Sequence, residues 1–198
     1  MAIKFRFWPL LLLCSFGAAQ GMFSPPPAVN ASSSTLGAPV LMGENVPETL
    51  TVTEAQGIRR PLLSYKSALE VLVVFFFSPA CPPQQMSDFH LFYNKFKEWH
   101  VAFVAVSSQN NDAVTALLKN ANLEAIPVVY DQSKNAVRLL NPPGTPWMMV
   151  LDETGHLRYR GPLHTPDTDQ VMDDIIGHVQ PVINPEPGGT PQCPLPHA

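Results

Sequence analysis

The chain has 198 residues, 45% of them hydrophobic and only 14% charged, with a formal net charge of −4. That supply of apolar side chains supports one packed domain of ordinary size and argues against wholesale disorder. No run of Lys and Arg interleaved with aromatics occurs, so nucleic acid is not an expected partner.

The first segment reads as an export signal. Lys4 and Arg6 form a positive start, Phe7 to Phe16 an apolar stretch around four consecutive leucines, and Gly17-Ala18-Ala19 a small-residue cleavage site. An apolar run of about ten residues falls well short of the ~20 that span a bilayer. Residues 1–19 are therefore expected to be a signal peptide removed near Ala19, delivering the protein to a periplasmic or extracellular space. Membrane attachment is expected only if the segment stays uncleaved. Cys14 could be a lipidation site, but the large Leu13 before it disfavours that. Cleavage removes Cys14 and leaves two of the three cysteines, Cys81 and Cys193, in a compartment that permits disulfides.

Residues 20–42 are rich in Pro, Ser and Ala and suit a flexible linker. Residues 43–180 then alternate strand-like and helix-like segments. Glu48 to Thr53 and Arg59 to Leu63 flank a Gln56-Gly57 turn and predict a hairpin. VLVVFFF (71–77) is a continuous β-branched and aromatic run, the pattern of a strand buried on both faces. Met86, Phe89, Phe92/Tyr93, Phe96 and Trp99 recur at helical spacing. VAFVAV (101–106) predicts a second buried strand, Asp112 to Asn120 a second helix, and PVVY (127–130) a short strand. WMMVL (147–151) and His156 to Arg160 flank the turn Asp152-Glu153-Thr154-Gly155, and Asp167 to His178 predicts a closing helix. The tail from 181 onward carries six prolines and two adjacent glycines and is expected to be disordered. A β-α-β start followed by an antiparallel hairpin and a helix predicts a three-layer α/β/α sandwich around a mixed sheet, in the thioredoxin order, with an N-terminal β-hairpin extension.

Cys81 stands where the buried strand gives way to the amphipathic helix. First-turn N–H groups lack intrahelical partners and the helix dipole is positive there, so a thiolate is favoured over a thiol. Pro82 and Pro83 follow, and proline is well tolerated in a first turn. The competing assignment is an inert structural cysteine.

The stretch FFFSPACPPQ (75–84) resembles the active-site segment of the redoxin branch of the thioredoxin superfamily, which joins alkyl hydroperoxide reductase/thiol-specific antioxidant proteins with exported TlpA-type thiol–disulfide proteins. VPETLTVTEAQGIRRPLLSYKS (46–67) is similar to their N-terminal hairpin, and GTPWMMVLDETGHLRYRG (144–161) to their cis-proline loop, strand and turn. The resemblance implies a thioredoxin-like fold, Cys81 as redox nucleophile, and a cis Pro146 packed beside it. It also implies that the backbone before Pro146 is free to pair with a substrate chain. The substrate face would then comprise Thr145, Pro146, Ser78, Pro82, Pro83 and Gln84.

Two departures qualify the resemblance. The family's second motif cysteine falls on Gln84, so a local CxxC disulfide cannot form. Ser78-x-x-Cys81 matches the hydroxyl-x-x-Cys spacing of peroxiredoxins, but their upstream proline is Val74 here. The arginine they place before the penultimate strand is missing, with Arg158 and Arg160 only on the strand beyond. Something other than residue 84 must resolve an oxidised Cys81.

Cys193 is the candidate. It lies about 13 residues past the expected end of the last helix, and an extended segment of that length reaches ~40 Å. It could resolve Cys81 or pair with it at rest; it could equally be a free or intermolecular tail thiol. The histidines lack the close spacing of a ligand pair, and a copper-chaperone cysteine four residues after Cys81 is Gln85, so no metal or other cofactor is expected. The leading expectation is an oxidoreductase acting on a protein disulfide or a small peroxide, with an external thiol as reductant. The alternative is a non-catalytic thioredoxin-fold binding or scaffold module.

Overall fold

A computed structural model describes residues 37–81, 84–109, 112–163, 166–177 and 193. The expected signal peptide, most of the linker, Pro82, Pro83, His164, His178 and all of the tail except Cys193 lie outside the described residues.

Seven strands form one sheet in the order β2-β1-β5-β4-β3-β6-β7. The first hairpin is shorter than the sequence suggests: β1 spans Thr51–Glu54 and β2 Arg59–Pro61, joined through Gly57 at φ 82. Leu62 and Leu63 leave the strand for a 3-10 turn, Leu62–Tyr65, which buries Leu62 completely. Proline at 61 offers no N–H to extend a ladder, which suits the end of an edge strand.

β3 (Val71–Phe77) lies inside the sheet between β4 and β6, and all seven of its residues are buried. β4 (Val101–Ser107) pairs with it in parallel and β6 (Trp147–Leu151) antiparallel. A strand flanked on both edges and covered on both faces needs an uninterrupted apolar run, which VLVVFFF supplies. β5 (Val128–Tyr130) continues the parallel part beside β4, and β7 (Leu157–Gly161) closes the other edge against β6.

Alternation along β3 divides the core in two. Val71, Val73, Phe75 and Phe77 face a layer built by α1 (Gln84–Phe96), α2 (Asp112–Asn120) and α4 (Pro166–Ile176). Phe75 stacks on Phe89 of α1 with ring centroids 3.9 Å apart. Leu72, Val74 and Phe76 face the opposite layer, made by α3 (Asn135–Leu140), the 3-10 turn and the chain around Val40, Val46 and Leu50. The result is the mixed-sheet α/β sandwich that the order of segments predicts.

Three local readings are corrected. Trp99 lies beyond the end of α1 and is 59% exposed, because the chain turns at His100 (φ 57) to enter β4. Helix α3 has no counterpart in the sequence reading. It is six residues long, too short to display a helical period, and is bounded by Lys134 at φ 56 and Asn141 at φ 49. Buried Asp131 accepts a hydrogen bond from the Val137 N–H at 2.8 Å and so fastens its start. Finally, a residue ahead of the expected boundary at 43 also takes part in the core. Val40 is buried, and its N–H donates to the Leu139 carbonyl at 2.8 Å.

Candidate functional site

The antiparallel pairing of β3 with β6 decides where the site lies. Phe76, next to the end of β3, is opposite Trp147, the first residue of β6. The loop leaving β3 and the loop entering β6 therefore meet at one end of the sheet. The first carries Ser78 and Cys81, the second Thr145 and Pro146. This is also the carboxyl end of the parallel strands, the usual place for a functional site in an open α/β sheet.

Cys81 is 7% exposed and sits in a turn closed by its own N–H donating to the Ser78 carbonyl at 3.1 Å. The Ser78 hydroxyl accepts from the Ala80 N–H at 3.3 Å, so Ser78 shapes the turn that presents the cysteine. The described part of helix α1 opens at Gln84, so Cys81 stands at the junction between β3 and α1. Gln85 is buried just inside the helix.

Across the gap, the Thr145–Pro146 peptide bond is cis, as the resemblance implies. Thr145 is fully buried, and its hydroxyl lies 3.1 Å from Cys81 Sγ. The backbone of Thr145 is also engaged, and its partner is Cys193. The Thr145 N–H donates to the Cys193 carbonyl at 2.8 Å, and the Cys193 N–H donates to the Thr145 carbonyl at 2.9 Å. Together they make an isolated antiparallel bridge.

Cys193 is half-buried there and is disulfide-bonded to Cys81. The two Cα atoms are 6.0 Å apart across a sequence separation of 112, within the usual range for a disulfide. Of the two readings left open for Cys193, the structure contains the intramolecular bridge. In the disulfide neither sulfur carries hydrogen, so Thr145 is the donor in its contact with Cys81.

Sequence reasoning assigned Thr145 to the substrate face and missed its contact with the sulfur. The signal was a hydroxyl residue directly before the cis proline. The arginines are occupied away from this loop: Arg158 Nε donates to Asp152 Oδ2 at 2.6 Å, and Arg160 donates to the Val40 carbonyl. Among the described residues, no group of three or more His, Cys, Asp or Glu side chains is placed to hold a metal ion.

A mixed sheet of this order, with a cysteine after the central strand facing a cis-proline loop, defines a thioredoxin-fold protein. The Redoxin family model matches residues 43–176, and the chain belongs to that family. No curated protein matches it in sequence. Solved structures do match in fold. An uncharacterized conserved protein from Geobacillus kaustophilus is similar with a TM-score of 0.60 at 19% identity, covering 74% of this chain and 87% of that one. A hypothetical protein from Sinorhizobium meliloti gives 0.58 at 20% identity, covering 78% and 91%. The thioredoxin domain of a thiol-disulfide oxidoreductase from Bacteroides vulgatus gives 0.52 at 18% identity, covering 73% and 99%.

Proposed function

We propose that this redoxin is an exported thiol–disulfide oxidoreductase, with Cys81 as the attacking thiol and Cys193 as the resolving one. The observation that carries the reading is the Cys81–Cys193 disulfide seated against the Thr145–Pro146 loop. It supplies the second thiol that Gln84 denies to the local motif. Export is supported by the charged start, apolar stretch and small-residue site of residues 1–19. The name of the Bacteroides vulgatus neighbour agrees with the chemistry.

The reaction begins from the reduced chain. The Cys81 thiolate attacks one sulfur of a substrate disulfide, forming a mixed disulfide and releasing the other substrate sulfur as a thiolate. The Cys193 thiolate then attacks Cys81 Sγ, forms the Cys81–Cys193 bond and releases the second substrate sulfur. Two electrons pass from the chain to the substrate, and an external thiol reductant restores both cysteines. The Thr145 hydroxyl donates to Cys81 Sγ and stabilises the thiolate in the reduced state. Peroxide reduction has less support, since Arg158 and Arg160 make their described bonds to Asp152 and Val40.

Non-reducing peptide mapping and turnover of a model protein disulfide, driven by a thiol reductant, test the proposal. A mapped Cys81–Cys193 bond and turnover that stops in Cys193→Ala are expected. Both thiols free after mild oxidation, with no turnover in the native chain, would leave the scaffold role.

A further inference from the structure

A cleft of about 410 Å³ opens where α2 meets the β1–β5 edge of the sheet, and it shares no lining residue with the Cys81–Thr145 site. Strand register creates it. β1 pairs with Tyr130 and Val129 of β5 and stops at Glu54, whose carbonyl accepts from the Gly57 N–H as the chain turns away. Val128 therefore has no partner on β1. The Pro127 carbonyl accepts from Ala105 and the Asp131 N–H donates to Ser107, both in β4. Polar groups alternate sides along a strand, so Val128 directs its own N–H and carbonyl away from β4, toward the cleft it lines. Leu118 and Ile126 supply apolar walls. Tyr130 adds an independent observation. It is 3% exposed, its ring packs in the core, and it lines the cleft, yet no described hydrogen bond holds its hydroxyl. A phenol buried to that extent calls for a partner from the cleft side.

The charged groups decide what that partner is. Glu54 is already matched, by Arg60 at 2.9 Å and by the Tyr65 hydroxyl, which donates to it at 3.1 Å. Glu124 is exposed and has no described ion pair or hydrogen bond, so its carboxylate brings an unmatched negative charge to the rim. Burial pushes the Tyr130 phenol up, and burial with the Glu54 hydrogen bond pushes Tyr65 up to about 12, so both stay neutral and able to accept. Among the described residues no Lys, Arg or His lines the cleft, which disfavours an anionic ligand. We infer that this cleft binds a small primary amine with a compact apolar body. An ammonium has three donors and no acceptor, and it finds acceptors in the Glu124 carboxylate, the Tyr130 hydroxyl and the Val128 carbonyl. The apolar body lies against Leu118 and Ile126, in a volume typical of small-molecule sites.

The test titrates the full oxidised chain with 2-phenylethylamine and, separately, with its neutral counterpart 2-phenylethanol, following backbone amide shifts by NMR. Saturable shifts centred on Leu118, Val128 and Tyr130 are expected with the amine, at a dissociation constant on the order of 1 mM for a probe of this size. The alcohol should bind about fivefold more weakly or less well still, since it lacks the charge that Glu124 recognises. Tyr130→Phe keeps the packed ring and removes only the hydroxyl, and should weaken the amine about three- to tenfold. Glu124→Gln should weaken it about two- to fivefold, whereas Glu98→Gln, an exposed glutamate away from the cleft, should leave it unchanged. Three results each overturn the inference: no saturable shift at roughly tens of millimolar amine, equal affinity for amine and alcohol, or undiminished binding in both cleft variants. The redox reading of Cys81 stands or falls separately, because neither probe carries sulfur.

Discussion

Cys81 Sγ lies 3.1 Å from the hydroxyl of Thr145, a residue 64 positions away in the sequence. The contact exists because β3 and β6 run antiparallel, so the end of one and the start of the other share an edge of the molecule. It gives the sulfur a hydrogen-bond donor that does not depend on the start of α1.

Thr145→Val removes that donor and keeps the volume, whereas Thr145→Ser keeps it. A hydrogen bond to a charged group contributes about 1.5–3 kcal/mol, equivalent to roughly ten- to a hundredfold in rate. In the Cys193→Ala chain, Thr145→Val is expected to slow exchange at neutral pH by about tenfold or more and to move the pH–rate profile upward. Thr145→Ser should stay near the parent. Stopped-flow reaction with a small aromatic disulfide reads both; an unmoved profile in the valine variant would show that the hydroxyl does not support the thiolate.

Reduction of the disulfide should destabilise the chain. Crosslinking a loop of about 100 residues restricts the unfolded ensemble by up to ~4.7 kcal/mol, and here the separation is 112 residues. Urea unfolding with and without reductant checks this. Identical midpoints would mean that the bridge constrains nothing in the unfolded chain.

Phe89 anchors α1 to the central strand. It is fully buried and stacks on Phe75 at 3.9 Å. Phe89→Ala is expected to cost about 3–5 kcal/mol, because it removes a large apolar side chain and leaves a cavity between helix and sheet. Chemical denaturation measures it. A loss under about 1 kcal/mol would mean that the layer collapses into the space.

Asp152 holds the turn between β6 and β7. Burial pushes its carboxyl up, but hydrogen bonds from the Thr154 hydroxyl, the His156 N–H and Arg158, with the Arg158 charge, together hold it below the usual carboxylate range. A carboxyl lowered on folding stabilises the protein above its unfolded value of about 3.9, and that stabilisation is lost as pH falls through the lower folded value. Asp152→Asn should therefore be less stable at neutral pH by about 1–3 kcal/mol. The gap from the native chain should close in acid. Denaturation midpoints at neutral pH and near pH 3 provide the check; a gap unchanged between them contradicts the assignment.

Much of the fold was legible from residue pattern alone. VLVVFFF and VAFVAV had to be central strands, since only burial on both faces tolerates seven or six consecutive apolar residues. The helical spacing of Met86, Phe89, Phe92 and Phe96 marked the face of α1 that packs on them. Two elements escaped for local reasons. Helix α3 is too short to show its period, and the exposed Trp99 mimics one more turn of α1 until the chain reverses at His100.

For the site, the sequence by itself determined the chemistry on offer: a cysteine after the central strand, glutamine where the second motif cysteine would stand, a Thr-Pro pair before β6 and a lone cysteine in a proline-rich tail. Which of these meet was decided only by tertiary structure. Strand direction brought Thr145 to Cys81, and no local periodicity encodes the pairing of strands about seventy residues apart. The bridge to Cys193 depends on where a single tail residue finds two unpaired backbone groups, and chain length alone permitted many other ends. Cys81 thus has a partner after all, supplied by the far end of the chain and held by the same backbone that the family leaves open to substrates.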